Sequence, residues 1–166
     1  MNVKTQEITL PTACPATPQQ PIIGEFFFWK SRMTTNVYEV EYLQGIEHFN
    51  GREFFEAHEV WEDIWARTSG RDQLFYKGLI HAAVALHHFG NRNLRGARKV
   101  WGSCHKYLSP YQPGHMGLDV RSFLGQLQSC FARLEGDAGP LDGIELDESK
   151  IPRIVLNPPP DSVNPE

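Results

Sequence analysis

Cysteine is scarce in this chain of 166 residues: the three present, Cys14, Cys104 and Cys130, are far apart and form no CxxC pair. An odd number at such spacing argues against a disulfide framework and for a reducing compartment. Long apolar runs are missing as well. The cluster Phe26 to Trp29 is far below the roughly 20 residues that span a bilayer. No basic start leads into an apolar stretch of the kind a secretory signal needs. The expectation is a cytoplasmic protein with no membrane partner.

Positive charge is not in excess either. Residues 36–136 carry 11 Lys/Arg and 11 Asp/Glu, residues 137–166 carry 7 acids and 2 bases, and the whole chain stands at -4. A neutral centre with an acidic tail gives no electrostatic footprint for nucleic acid or anionic lipid. Glycine-rich phosphate loops are absent: Gly90, Gly96 and Gly102 are scattered. Ser103, Ser109 and Cys104 have no triad-like neighbours, and Cys104 falls in an apolar stripe that suits core packing better than nucleophilic chemistry.

What is present is material for one folded domain, with 40% hydrophobic residues, four Trp, five Tyr and ten Phe. Pro11, Pro15, Pro18 and Pro21 deny residues 1–34 helical hydrogen bonds. That segment reads as an extended arm, with Ile22, Ile23 and Phe26 to Trp29 available to dock it on the domain or on a second subunit.

Five helical patterns follow, in a domain over residues 35–136. The first runs from Asn36 or Val37 to Phe49, with Val37, Val40, Leu43 and Ile46 at helical spacing and Asn50-Gly51 as its stop. The second holds Phe54, Ala57, Trp61, Ile64 and Trp65 in one stripe and closes near Arg67 to Gly70. The third, Asp72 to Gly90, is apolar almost all round, which suits the centre of a bundle. Its Gly78, Ala82 and Ala85 form a low surface for a close neighbour. A fourth starts at Asn93 as N-cap, buries Leu94, Ala97, Trp101, Cys104 and Leu108, and stops before Pro110. Asp119 caps a fifth carrying Val120, Phe123, Leu124, Leu127, Phe131 and Leu134, ended by Gly136 and Gly139. Residues 137–166 read as an acidic, Pro-rich tail.

The stretch with most chemical promise is Phe54 to Trp65. Counting from Phe54 at about 100° per residue, His58 lands near 40°, inside the apolar stripe, and Glu62 near 80°, on its shoulder. On the third helix Lys77, His81 and His88 form the one polar line on an otherwise apolar cylinder, while His87 points elsewhere. Polar groups so placed must find partners or stay wet, because burying them unpaired costs on the order of a few kcal/mol.

Three outcomes stay open. His58 and Glu62, about 6 Å apart at Cβ, could chelate a divalent metal with His88 or His81 as third ligand. In that case Glu59 would be a general base, as in a zinc-peptidase helix, although Glu62 stands where that motif has its second His. The same residues could instead form a buried ion-pair and hydrogen-bond network with Lys77 that fixes helix register. They could also line a small-molecule pocket. Arg92, Arg95, Lys99 and Lys106 share a face of the fourth helix that is a solvated surface or a seat for an acidic partner.

Several of these residues recur in a pattern. Phe49-Asn50-Gly51 is followed by Phe54 to Glu59, Glu62 and Trp65, then Gly78-Leu79-Ile80, Ala82, Ala85 and His88. Asn93, Gly96-Ala97 and Met116 to Asp119 complete it. With this order and spacing, residues 36–134 resemble the bacterial and archaeal domain of unknown function 309. The resemblance implies a compact all-helical fold and no established activity. It carries over His58, Glu59, Glu62 and His88 as a set, whereas His81 is outside it and Lys77 and Arg92 depart from it.

The sequence thus predicts an all-α bundle of about five helices around a central apolar one, with extended arms at both ends. It predicts a non-catalytic structural, partner-binding or ligand-binding module with a semi-buried polar site at His58, Glu59, Glu62, Lys77, His81 and His88, as a homo-oligomer or with a protein partner. The alternative is a metal-dependent hydrolase using His58, Glu59, Glu62 and His88.

Overall fold

The structure, a computed structural model, describes residues 38–135 and 143–158. Expectations about residues 1–34, Val37, Gly136 and Gly139 lie outside them. Among the described residues are five α-helices and no β-strand. They are α1 (Val40–Asn50), α2 (Phe54–Arg67), α3 (Arg71–Gly90), α4 (Leu94–Leu108) and α5 (Val120–Phe131). Short 3-10 turns follow α4 and α5, and a third, Glu148–Lys150, lies in the C-terminal segment.

α3 is the centre, packed between α2 on one side and α4 on the other, with α1 against α2. Its composition is the reason. Ten of its residues are buried, including Phe75, Leu79, Ala82, Ala83, Leu86 and Phe89, so no single stripe would satisfy it. The low surface works as the sequence suggests: a Cβ built on Gly78 would stand 2.5 Å from Leu108 of α4. Leu74 is the exception to the apolar cylinder, 48% exposed at the first turn.

The N-caps expected at Asn93 and Asp119 are formed. Asn93 Oδ1 accepts from the Gly96 amide at 3.0 Å and Asp119 Oδ1 from Ser122 at 2.9 Å, each satisfying a donor that a helix start leaves free. α1 stops where the sequence places it, with Asn50 as its last residue and Gly51 as its cap, but the turn is made by the next residue. Gly51 keeps a right-handed conformation, and the left-handed residue is Arg52, φ 70°. Its amide reaches the Phe49 carbonyl at 3.1 Å and the Glu53 amide reaches His48 at 2.9 Å, a Schellman closure. α3 ends the same way on Arg92, φ 58°, through Arg92 to Phe89 at 3.0 Å and Asn93 to His88 at 2.9 Å.

The apolar stripe expected on α1 is rotated. Val40 is 62% exposed, and the buried face is Tyr42, Gly45, Ile46 and Phe49. The Trp61 indole decides this, because it lies on Gly45 and donates to the Tyr42 carbonyl at 3.3 Å.

The C-terminal segment supplies core residues that the sequence reading left outside the domain. Ile151 is buried with the helices, and after it Pro152, Ile154 and Leu156 are buried while Arg153 and Val155 face outward. That alternation is a period of two, as in an extended chain. Leu156 forms an isolated antiparallel bridge with Leu118, and the Asn157 amide donates to the Gly117 carbonyl at 2.8 Å. The Tyr38 hydroxyl donates to the Pro158 carbonyl at 2.9 Å. Residues 143–158 are a strap.

Candidate functional site

The polar residues singled out on α2 and α3 separate into two places. On α2, His58 is half-buried, while Glu59 and Glu62 are exposed. No polar or charged residue is buried among the described residues, so the buried network of His58, Glu59, Glu62 and Lys77 is not formed. The physical reason is the width of the α2 core stripe. Phe54, Ala57, Trp61 and Ile64 fill the buried face, which leaves Glu62 on the solvent side of His58.

Phe55 organises the surface there. Its ring is 46% exposed, stands 4.7 Å from His58 in an edge arrangement, and tilts against His87 of α3 at 5.6 Å. The α3 histidine nearest this patch is therefore His87, not the expected His88. His87 also shares a hydrogen bond with Asn91 at 2.9 Å, and His88 one with Asn93 at 3.3 Å. Aromatic and imidazole rings at these separations attract modestly, by about 0.5–1.5 kcal/mol per pair.

Lys77 and His81 turn the other way, toward α4. Both gather on Tyr107, the Lys77 ammonium 4.9 Å above its ring and the His81 ring edge-on at 5.2 Å. The His81 Nδ1 atom is buried without a hydrogen bond. Burial, seconded by the Lys77 charge, holds His81 below the ordinary imidazole range and so in its neutral form. This cluster is a packing device between α3 and α4.

Among the described residues, no three His, Cys, Asp or Glu side chains are close enough to hold a metal ion. His58, Glu62 and His88 are accordingly not drawn together into a ligand set, and Glu59 faces solvent. The cysteines behave as core residues. Cys104 is fully buried with its thiol pushed up by that burial, and burial pushes the Cys130 thiol up to about 11.

Two polar pairs escaped the sequence reading. His115 Nε2 meets Asp72 Oδ1 at 2.8 Å, with the imidazole between Phe75 at 4.8 Å and Tyr111 at 4.9 Å. Trp101 donates its indole N–H to Glu135 at 2.6 Å and stacks on Phe131 at 5.1 Å, while Gln128 donates to the same carboxylate at 2.8 Å. The members of each pair lie 43 and 34 residues apart, so no local spacing signals them. The Pro113-Gly114 turn was the one clue that the chain reverses beside His115.

Residues 42–100 match the model of the family described as Domain of unknown function (DUF309). It is the family that the residues resemble. The DUF309 segment covers α1 from Tyr42, all of α2 and α3, and α4 to Val100. It contains His58, Glu59, Glu62, Lys77, His81 and His88, but stops short of Tyr107, His115, Glu135 and the strap. The chain is 28% identical over 99 residues to "Uncharacterized protein YpuF" of Bacillus subtilis (strain 168), covering 58% of this chain and 56% of that protein. It is 34% identical over 64 residues to an "Uncharacterized protein" of Aquifex aeolicus (strain VF5), covering 37% of this chain and 19% of that protein. The chain therefore spans about half the length of the first and about a fifth of the second. No described helix of the DUF309 segment, or of the rest, is long and apolar enough to cross a membrane.

Proposed function

We propose that the chain is a non-catalytic protein-binding module that associates with a second copy of itself, the acidic face of α2 meeting the basic face of α4. One observation carries this reading: the two helices flanking α3 have opposite charge. α2 presents Glu56, Glu59, Glu62 and Asp63 to solvent, and its one base, Arg67, is paired with Glu39 and Glu41. α4 presents Arg95, Lys99 and Lys106 and carries no acid at all. Unlike faces of this kind steer association and set register more than they add affinity.

The aromatic centre of the α2 face supports the same reading. Phe55, backed by His58 and His87 on a helix whose exposed residues include Glu56, Glu59, Glu62 and Asp63, has the make-up of an interface anchor. A guanidinium or ammonium from α4 of another copy can stack on it while pairing with Glu59 or Glu62. In this reading His58, Glu59 and Glu62 serve binding, and Lys77, His81 and Tyr107 serve packing.

Sedimentation velocity across salt concentrations tests it. The expected result is an oligomer at tens of micromolar protein in low salt that dissociates as salt rises. The double variant Glu59→Lys with Glu62→Lys should be monomeric, and so should Lys99→Glu with Lys106→Glu. An equimolar mixture of the two should regain the oligomer. A wild-type monomer at every salt concentration removes the proposal, as does an oligomer indifferent to both reversals.

A further inference from the structure

The way the strap is held has the features of peptide recognition. Asn50, the last residue of α1, forms a two-point pair with the backbone of Ile154. Its Nδ2 donates to the Ile154 carbonyl at 2.9 Å and its Oδ1 accepts from the Ile154 amide at 2.8 Å. A side-chain amide in this position mimics a neighbouring strand, satisfying both backbone groups of one residue without reading its side chain. Two residues later the Arg52 guanidinium spreads over the carbonyls of Glu148, Ile151 and Pro152 at 3.4 to 3.5 Å. At the far end Gly117 accepts from Asn157 at 2.8 Å. The helical domain thus presents a row of backbone readers, and the strap fills the apolar positions between them with Ile151, Ile154 and Leu156.

This is the division of labour seen when an extended peptide adds to a receptor. Main-chain hydrogen bonds give affinity, and sites for alternate side chains give selectivity. The readers Asn50, Arg52 and Gly117 belong to the end of α1, the turn after it and the turn before α5, so they come from elements separate from the ligand they hold. We infer that this groove is a binding site for an extended segment of another polypeptide with apolar residues at alternate positions after a proline, and that the strap is its covalently tethered occupant. The pattern read by the groove is Ile-Pro-x-Ile-x-Leu, residues 151–156. Tethering places the strap at an effective concentration in the millimolar range, so an outside segment gains access only when the strap is weakened or displaced. The inference is independent of the α2-to-α4 contact, because the groove uses neither charged face.

The fold contains a reporter of displacement. Cys130 of α5 is buried, and the charged groups facing it are Asp147 and Lys150 of the strap together with Arg52. Cys104 is buried elsewhere in the core and serves as the internal control.

The experiment uses the full chain with Cys14→Ser and a fluorescein-labelled synthetic peptide of residues 147–158, followed by anisotropy. The expected result is weak binding to this parent and at least tenfold tighter binding once Ile154→Asp has expelled the strap. Adding Asn50→Leu should abolish the gain, and a peptide carrying Asp in place of Ile154 should not bind. Cys130 should react faster with a thiol reagent in the Ile154→Asp chain than in the parent, and excess unlabelled peptide should slow it again in that chain, with Cys104 unreactive in both. Should Ile154→Asp lose its helical circular dichroism, the milder Leu156→Ala takes its place, and peptide-restored helicity in the first variant counts in favour. A folded, strap-weakened chain that shows no saturable binding overturns the inference. Two unfolded variants that the peptide does not rescue overturn it as well.

Discussion

Gly45 of α1 and Trp61 of α2 are in direct contact: the space that a Cβ on Gly45 would need is filled by the indole, 2.1 Å from its Nε1. The same indole donates to the Tyr42 carbonyl one turn earlier on α1, and its ring lies 6.0 Å from Phe49 one turn later. This contact sets how closely α1 and α2 approach, and it turns Val40 outward where the spacing of apolar residues had placed it inside.

Gly45→Ala should therefore destabilise the fold, although alanine is the better helix former. Overpacking of a rigid ring against backbone costs about 1–3 kcal/mol, well above the gain of roughly 0.8–1 kcal/mol in helix propensity. Urea unfolding followed by circular dichroism checks this. A midpoint equal to or above wild type would mean the two helices can separate at little cost.

Two glycines of neighbouring helices should respond with opposite sign. Gly78→Ala places a methyl group 2.5 Å from Leu108 and should lower stability. Gly102 has open space around it and sits exposed in α4, so Gly102→Ala should add about 0.5–1 kcal/mol through propensity alone. Thermal melts of the pair give the comparison. Equal shifts in one direction would contradict the close α3–α4 approach.

Arg92 carries its left-handed backbone without the freedom of glycine. Its side chain pairs with Glu145 of the strap at 2.6 Å, but both groups are largely exposed, where such a pair contributes about 0–1 kcal/mol. Arg92→Gly and Arg92→Ala lose the same pair and differ in backbone strain. The glycine variant should be the more stable of the two by about 1 kcal/mol, read from denaturant midpoints. An alanine variant as stable as the glycine one would show the residue free to leave the left-handed region.

Stability should fall on mild acidification through His81. Its folded pKa lies below the ordinary 6.5 because of burial and then Lys77. The unfolded chain therefore takes up a proton first as pH drops. The contribution is complete above pH 6.5 and declines from there down to the depressed folded value. Denaturant unfolding at pH 7.5 and pH 5.5 should show a smaller loss in His81→Leu than in wild type. Identical losses would mean that the imidazole is solvated in the folded state.

Much of the fold was legible because it rests on local rules. Asn93 and Asp119 cap as their side chains dictate, and the five helices follow from period and punctuation. The core of α5 and the burial of Cys104 follow from stripes that repeat over several turns. α1 shows where this fails. Its eleven residues carry apolar side chains on two faces, and period alone does not choose between them. Trp61 chose, from another helix. The strap was missed for a related reason: its proline and acid content describe an extended chain, and extended segments dock or not according to what they meet.

The candidate site was legible only as a list of residues. His58, Glu59 and Glu62 share a helix, so their common neighbourhood follows from spacing. Which α3 groups they would meet depended on the rotation of α3 between two neighbours, and a helix buried all round carries no stripe to reveal it. The tertiary structure sent Lys77 and His81 to Tyr107 and brought His87 to Phe55.

By itself the sequence determined the helical class, the helix boundaries within a few residues, the central place of α3 and the family resemblance. Hydrogen-bond caps and apolar period act over one or two turns and are written in neighbouring residues. The tertiary structure alone decided the rotation of α1, the partners of the polar residues, the His115–Asp72 and Trp101–Glu135 pairs and the seating of the strap. Those depend on which side chains from distant parts of the chain compete for the same space, and that competition is settled only when the helices pack.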